Sequence, residues 1–539
     1  MYGRLRQGNR EISVTAPGTA PGAASGRPEV VADDERGGEV SPSALAKAPD
    51  PLIVPVKPAN KAAQAAAEPA EGSGGTKRNA DRQSTNRTQG REAVSQAQAR
   101  IREAVNRNRQ DKLTALLHHL TIDVLRASFF GLKKSAAPGV DEMTWTEYGE
   151  GLEENLSDLH SRVQTGAYRA LPSRRTYIPK ADGRQRPLGI AALEDKIVQA
   201  AVVAILTPIY EAEFLGFSYG FRPKRSQHQA LDALAFGIGR RRINWVLDCD
   251  VQSFFDKVSQ SWLIRFIEHR IGDRRIIRLI AKWLTAGVLE GGHLIVTEEG
   301  TPQGAVISPL LANIYLHYVY DLWAHQWRQR CATGDVIVVR YADDTIVGFE
   351  HQHEAERFLA DLKARLARFG LTLHPDKTRL IEFGRSAIAN RHARGLGKPE
   401  SFDFLGFTHY CATRRSGSGF VLGRKPVAKR MRAKLREIKE QLMAIRHEGA
   451  ERQGRWLCQV LRGWMAYYAV PMSGSAISAF RHHMIERWHG ALMRRSQRRR
   501  LTWTRMKKIA DRHLPFPRIL HPWPEKRFLV TIQGGSPVR

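Results

Sequence analysis

Two adjacent carboxylates, Asp343 and Asp344, lie in the tetrapeptide Tyr341-Ala342-Asp343-Asp344, between apolar runs at 336–339 and 346–349. Runs of β-branched and aromatic residues of that length read as strands, so the acids fall at the tip of a tight hairpin. Neighbouring carboxylates resist joint ionisation unless a cation sits between them, which makes the pair costly alone and useful as a place to hold a metal ion. The plainer reading is a solvated turn, because Asp favours turns whatever their function. Deciding between the two requires a further acid elsewhere, a nucleotide pocket and a nucleic-acid surface.

A further acid follows a strand-like run at 243–247, which ends in Asp248 and Asp250 and passes into a segment with helical apolar spacing, Phe254, Phe255, Val258 and Trp262. Two-metal phosphoryl transfer needs carboxylates from separate chain segments to hold ions about 3.5 to 4 Å apart. One ion activates the attacking hydroxyl and the other stabilises the leaving oxygen. Asp250 with Asp343 and Asp344 supplies such a set. Asp248 and Asp256 compete with Asp250 for the place, and spacing alone does not choose among them.

Composition agrees with a polyanionic partner. The 539 residues hold 84 Lys and Arg against 54 Asp and Glu, a net charge of +30. Such a surplus attracts phosphate backbones and makes affinity salt-dependent. Residues 424–539 carry 27 basic and 7 acidic side chains, so two thirds of the surplus lies in roughly the last fifth of the chain. There the bases alternate with aromatics, as in Arg455-Trp456, Arg462-Gly463-Trp464 and Ala466-Tyr467-Tyr468. Aromatic faces and Arg planes stack on unpaired bases. Core packing is the better reading of each tryptophan taken singly, and RNA contact is the better reading of the basic face.

The elements that must position these groups follow from pattern. Residues 1–90 are rich in Ala, Gly, Pro and Ser, with few large apolar side chains, and are expected to be disordered. They lack the charged start, apolar core and cleavage site of a secretory signal, and acids at 29–39 argue against an organelle transit peptide. Helical spacing begins at Gln96 and continues to Phe130, with Ile122, Leu125 and Phe129 on one face. A second helical run covers 427–446, with Met431, Leu435, Ile438 and Leu442 in phase. No stretch reaches the roughly 18 apolar residues of a membrane helix, so a cytoplasmic protein is expected. Cys249, Cys331, Cys411 and Cys458 are far apart, with no Cys-x-x-Cys spacing for zinc or redox chemistry.

The segment Asp250-Val-Gln-Ser-Phe-Phe-Asp256, followed about ninety residues later by YADD, resembles the paired acidic motifs of reverse transcriptases, and more specifically the group II intron-encoded reverse transcriptase and maturase family. Nine blocks stand in family order. AAPGVD at 136–141, YIPKADGRQRPLGI at 177–190, EDKIVQAA at 194–201 and SYGFRPKRSQHQAL at 218–231 precede the Asp250 segment. GTPQGAVISPLLANIYL at 300–316, YADD, LTLHPDKTRL at 371–380 and FDFLGF at 402–407 follow it. QVLRGWMAYYAVP at 459–471 resembles the maturase domain called X, and FPRILHPWP at 516–524 resembles the family's tail. The likeness runs from about residue 110 to beyond 520.

The resemblance implies an α+β right-hand polymerase: fingers and an antiparallel palm sheet over 91–411, then a helical thumb and domain X over 412–535. It implies that Asp250, Asp343 and Asp344 are catalytic and hold two Mg2+ ions with the Val251 backbone carbonyl, Asp344 in a lesser role. Asp248 and Asp256 become supporting residues. Lys180, Arg186, Phe255, Gln303, Gly304 and Lys377 are implied in nucleotide binding, with Phe255 crowding a ribose 2′ hydroxyl and Lys377 giving a proton to pyrophosphate. Phe404, Leu405 and Gly406 are implied in gripping the primer, and Arg462, Trp464, Tyr467 and Tyr468 in binding RNA. The implied partners are the parent intron RNA, a DNA primer or target and deoxynucleoside triphosphates. The implied activity is RNA-directed DNA synthesis with splicing assistance. A splicing-only maturase and a domesticated reverse transcriptase are the alternatives; the retained aspartates speak against the first and the X signature against the second. Many relatives also carry a nuclease domain with paired cysteines, which the cysteine spacing here does not match, so no endonuclease is expected.

Overall fold

A computed structural model of the chain describes residues 77–526 apart from 108–110, 180–184, 297–298, 302–303, 414–418 and 496–500, with side chains described from Glu92 onward. The expected disorder of residues 1–76 lies outside the described residues. The first helix, Lys77–Arg107, starts inside the segment expected to be disordered and well before Gln96. Its first half is polar, so an apolar stripe could not announce it. Ala, Arg, Gln and Glu favour the helix by propensity, and in its second half Ile101 and Val105 are buried in the core. Gln98 Nε2 fixes it to the Ala204 carbonyl at 3.1 Å.

Among the described residues eleven strands form three sheets. The first has the order β2-β1-β4-β5, from β1 (Ser173–Pro179), β2 (Gln185–Ile190), β4 (Val288–Glu290) and β5 (His293–Ile295). The second is antiparallel throughout with the order β6-β7-β3-β8, from β3 (Trp245–Cys249), β6 (Val336–Tyr341), β7 (Asp344–Phe349) and β8 (Arg379–Glu382). The third has the order β11-β10-β9, from β9 (Phe402–Phe404), β10 (Phe407–Thr413) and β11 (Phe420–Pro426). A boundary between residues 411 and 412 cuts β10, which pairs with β11 along its whole length. Turn chemistry hides this continuation, because Gly417 and Gly419 read as a linker when the pairing partner is unknown. The structural break comes after Pro426, where the helix Ala428–Ala444 begins.

The second sheet is the centre of the core. Ile337, Val338, Val339, Ile346 and Val347 are fully buried or nearly so. Phe349 meets Trp327 and Phe358 edge-on or tilted, at 6.2 and 5.3 Å between ring centres. Aromatic pairs in such geometry add to what area burial alone gives. The helix Leu193–Glu211 joins three of the sequence blocks: Asp141 accepts from the Leu193 N–H, Lys196 donates to the Ala137 carbonyl, and Gln199 accepts from the Val306 N–H. The C-terminal helices Ala450–Tyr468 and Gly474–Met493 pack through Trp464 on Phe480, stacked at 4.1 Å. Buried Trp488 donates to Gln453 at 2.9 Å. The FPRILHPWP tail docks there too, with the Leu520 N–H on the Ala469 carbonyl at 2.9 Å.

Candidate active site

The hairpin between β6 and β7 pairs Tyr341 with Asp344, leaving Ala342 and Asp343 as its two-residue tip. Ala342 takes φ 56°, a left-handed conformation that tight hairpin turns demand and that a residue with a Cβ adopts at a cost. On the other side β7 pairs with β3, Cys249 facing Thr345. The next residue out on each strand is therefore Asp250 on one and Asp344 on the other. Register alone brings the two acidic segments together across about ninety residues of chain.

Asp250 is pinned from behind. Its carbonyl accepts from the His374 N–H at 2.7 Å, and the Gln252 N–H donates to Thr372 at 2.9 Å. These bonds flank the bridge between Val251 and Leu373 and leave the Val251 carbonyl out of the ladder. The Asp250 carboxylate takes its counter-charge from Lys377, whose Nζ lies 2.7 Å from Oδ2.

The other acids carry more negative charge than the site offsets. Loss of hydration in the cleft, the charge of Asp343 and that of Asp250 push Asp344 up to about 6, against the pull of Lys377 and Arg430. Loss of hydration and Asp250 also raise Asp343, opposed by its own backbone and by Arg186 and Arg340. Asp248, one residue inside β3, is pushed up to about 7, first by burial, with Asp344 and Asp250 adding to it and Arg379 opposing. Asp250 is thus the acid of its segment coupled to both members of the pair. Asp256 sits exposed on the short helix Phe254–Lys257.

Among the described residues no three His, Cys, Asp or Glu side chains converge closely enough to enclose an ion. The donor chemistry nonetheless fits a hard divalent cation, since the set is all oxygen, adjacent and electrostatically unbalanced. A testable consequence follows for the metal-free protein. Because Asp344 binds its proton more tightly folded than unfolded, where a carboxyl titrates near 3.9, its effect on stability is most favourable below the unfolded value. That contribution is lost as pH rises through about 6. Asp344→Asn is expected to raise Tm at pH 7.5 in EDTA and to flatten the dependence between about pH 4 and 6. Parallel melting curves for variant and wild type would contradict the charge crowding.

The remaining residues named from the sequence divide three ways. Arg186 on β2 reaches the acids electrostatically. Phe255 is half-buried, edge-on to Phe254 at 5.3 Å, and its carbonyl accepts from the Thr301 N–H at 2.8 Å. Gly304 has φ 106° and approaches Gly189 so closely that a Cβ would lie 2.7 Å from its carbonyl oxygen. Lys180 and Gln303 lie outside the described residues. Leu405 and Gly406 form the turn between β9 and β10, with φ 48° and 81°, beside buried Phe404. The Leu405 carbonyl accepts from Tyr467 Oη at 2.7 Å.

The aromatics of 459–471 correct the expectation of direct RNA contact. Trp464 and Tyr468 are buried, 9% and 7% exposed, and pack against each other and Phe480. Tyr467 is spent on Leu405 and on the ring of Phe407. The reason is helical phase: 457, 461, 464, 465 and 468 form the inward stripe. Arg462 is exposed on the opposite face. Sequence reading passed over Arg340, Asp321, Asn313 and Arg430. The available signal was a lone acid, Asp321, ending the apolar run 305–321, and a lone arginine inside the strand preceding Tyr341.

Comparison with known proteins places this geometry in a class. Residues 178–409 match the family model for reverse transcriptase (RNA-dependent DNA polymerase), so the chain carries a reverse-transcriptase domain of mixed helix and sheet with the acidic hairpin inside it. The chain is 41% identical over 197 residues to Protein YkfC of Escherichia coli, a span of 36% of this chain and 51% of that protein. It is 36% identical over 226 residues to the group II intron-encoded protein LtrA of Lactococcus lactis, 40% of this chain and 37% of that protein. It is 28% identical over 271 residues to the putative COX1/OXI3 intron 1 protein of Saccharomyces cerevisiae, 41% and 32% of the two chains. The chain thus spans about half the length, or less, of these relatives. No described helix is long and apolar enough to cross a membrane.

Proposed function

We propose that the protein is the RNA-directed DNA polymerase of a group II intron and that it also binds the parent intron RNA and promotes its splicing and mobility. The observation that carries the reading is the meeting of Asp250 with Asp343 and Asp344 at the end of an antiparallel sheet, within a reverse-transcriptase domain. The second sheet serves as palm and the first as part of the fingers. The third closes the palm, and the helices from Ala428 onward form thumb and domain X.

Asp250, Asp343, Asp344 and the Val251 carbonyl are the oxygens that would hold two Mg2+ ions. Bound there, the ions would lower the pKa of the primer 3′ hydroxyl and would offset charge on the leaving pyrophosphate. Arg186 and Lys377 add fixed positive charge where phosphate charge develops. Lys377 also neutralises Asp250 and is the group that would give the departing phosphate a proton. Gly304 permits close approach of a nucleotide because it lacks a Cβ. Phe404, Leu405 and Gly406 hold the primer end near the acids, with Tyr467 as their brace. The intron RNA is gripped by the basic outer face that carries Arg462, and the aromatics beneath it shape that face.

Phe255 follows Asp250 by five residues and is only half-buried, and its exposed part would exclude a 2′ hydroxyl. Phe255→Ala is expected to raise ribonucleotide incorporation relative to deoxynucleotide by roughly 10- to 100-fold, the scale of steric discrimination in an apolar pocket. Single-nucleotide extension with matched rNTP and dNTP measures the ratio. An unchanged ratio would assign Phe255 to packing.

A further inference from the structure

The guanidinium of Arg340 lies directly behind the acidic hairpin and is fully buried. All five of its N–H groups are spent. Nε and Nη2 form a two-pronged pair with Asp321 at 2.6 and 2.5 Å. Nη2 also donates to Ser218 Oγ at 2.7 Å, and Nη1 donates to Asn313 Oδ1 at 3.1 Å and to the Ala342 carbonyl at 2.8 Å. Asn313 passes the connection on, donating to the Gly220 carbonyl at 2.7 Å.

The same segment closes on the hairpin through its backbone. Arg340 N–H donates to Phe217 at 2.9 Å and Tyr219 N–H to Arg340 at 2.8 Å. Gly220 lies so near the tip that a Cβ there would stand 2.2 Å from the Ala342 nitrogen. Ser218 and Gly220 belong to the SYGFRP block, to which the proposed chemistry gives no role.

A buried ion pair is weak evidence for stability, because well-packed apolar residues of the same volume often serve as well. What an apolar replacement cannot supply is the bond to the Ala342 carbonyl. Ala342 holds a left-handed φ, and such a conformation persists only where surrounding groups over-determine it. A planar fork can serve Asp321 and Ala342 at once, whereas an ammonium cannot reproduce that fixed geometry.

We infer that Arg340, held by Asp321, Asn313 and Ser218, is a positioning residue that locks the Ala342 turn and thereby sets where Asp343 presents its carboxylate to a divalent cation. This rests on the reading of the acids as metal ligands given above. Partners outside the ligand set that orient ligands typically change metal affinity by about 10- to 100-fold when altered.

The test is Mn2+ binding to the full chain, read as free-ion signal by electron paramagnetic resonance, beside primer extension and melting of the same samples. Arg340→Lys is expected to weaken Mn2+ binding by roughly tenfold or more, and to lower kcat with the KM for dNTP unchanged. Wild-type Mn2+ affinity in folded Arg340→Lys would overturn the inference. Should that variant fail to fold, Ser218→Ala removes one bond and leaves the ion pair; it is expected to weaken Mn2+ binding by roughly threefold, the worth of one hydrogen bond. Unchanged affinity there would overturn the inference equally. A wild-type protein that binds Mn2+ yet extends no primer would defeat the polymerase reading alone. In that case weaker Mn2+ binding by Arg340→Lys still supports the positioning role.

Discussion

Asp343→Ala is expected to reduce DNA synthesis on an RNA template by roughly a thousandfold or more, the scale expected when charge stabilisation at a phosphoryl-transfer site is lost. The same substitution is expected to leave intron RNA binding and splicing assistance largely intact. The reasoning is electrostatic and local. Asp343 sits at the hairpin tip beside Asp344 and within the field of Asp250, and its carboxyl is raised, so its charge is a burden to the metal-free fold. Removing that charge relieves repulsion, and Tm should hold or rise, which separates lost chemistry from lost structure. The basic face around Arg462 belongs to a different part of the chain. Primer extension, a splicing assay and a melting curve on one preparation check all three expectations. Wild-type synthesis by the variant would remove Asp343 from the active site, and equal loss of splicing would end the separation of roles.

The second large effect concerns the C-terminal helices. Trp464→Ala is expected to cost about 3 to 5 kcal/mol of stability, as for a large aromatic removed from a packed core, because its ring is stacked on Phe480 and tilted on Tyr468. Arg462→Ala, two residues away on the exposed side, is expected to leave Tm within about 0.5 kcal/mol equivalent of wild type. It should weaken RNA binding and lower the salt slope by about 1. Denaturant melts and RNA binding at several salt concentrations distinguish the two. A stable Trp464→Ala protein with selectively weakened RNA affinity would mean that the tryptophan contacts RNA after all.

The sequence made the acidic pair legible because alternation of apolar runs with a two-residue tip is a local signal. Asp250 was legible only as one of three acids. The family resemblance chose it among them, and the register of β3 against β7 gives the physical reason, a long-range fact that places residue 250 opposite residue 344. The helix Ala428–Ala444 was readable from Leu435, Ile438 and Leu442, all of them buried. Three features were not readable, each for a physical reason. The helix from Lys77 begins without an apolar stripe. The strand crossing residue 411 depends on a partner beyond a Gly-rich turn. The pair Arg340 with Asp321 is a contact between a strand and a π-helical turn, His317–Asp321, whose two charges look unrelated along the chain. The maturase-like aromatics show the converse: composition suggested stacking platforms, and helical phase turned most of them inward.

The most direct test of the central claim is extension of a DNA primer on a defined RNA template by the purified wild-type chain. The account predicts full-length complementary DNA that requires all four deoxynucleoside triphosphates and a divalent cation, with synthesis stopped by EDTA. A folded, RNA-binding protein that adds no nucleotide under Mg2+ or Mn2+ would contradict it.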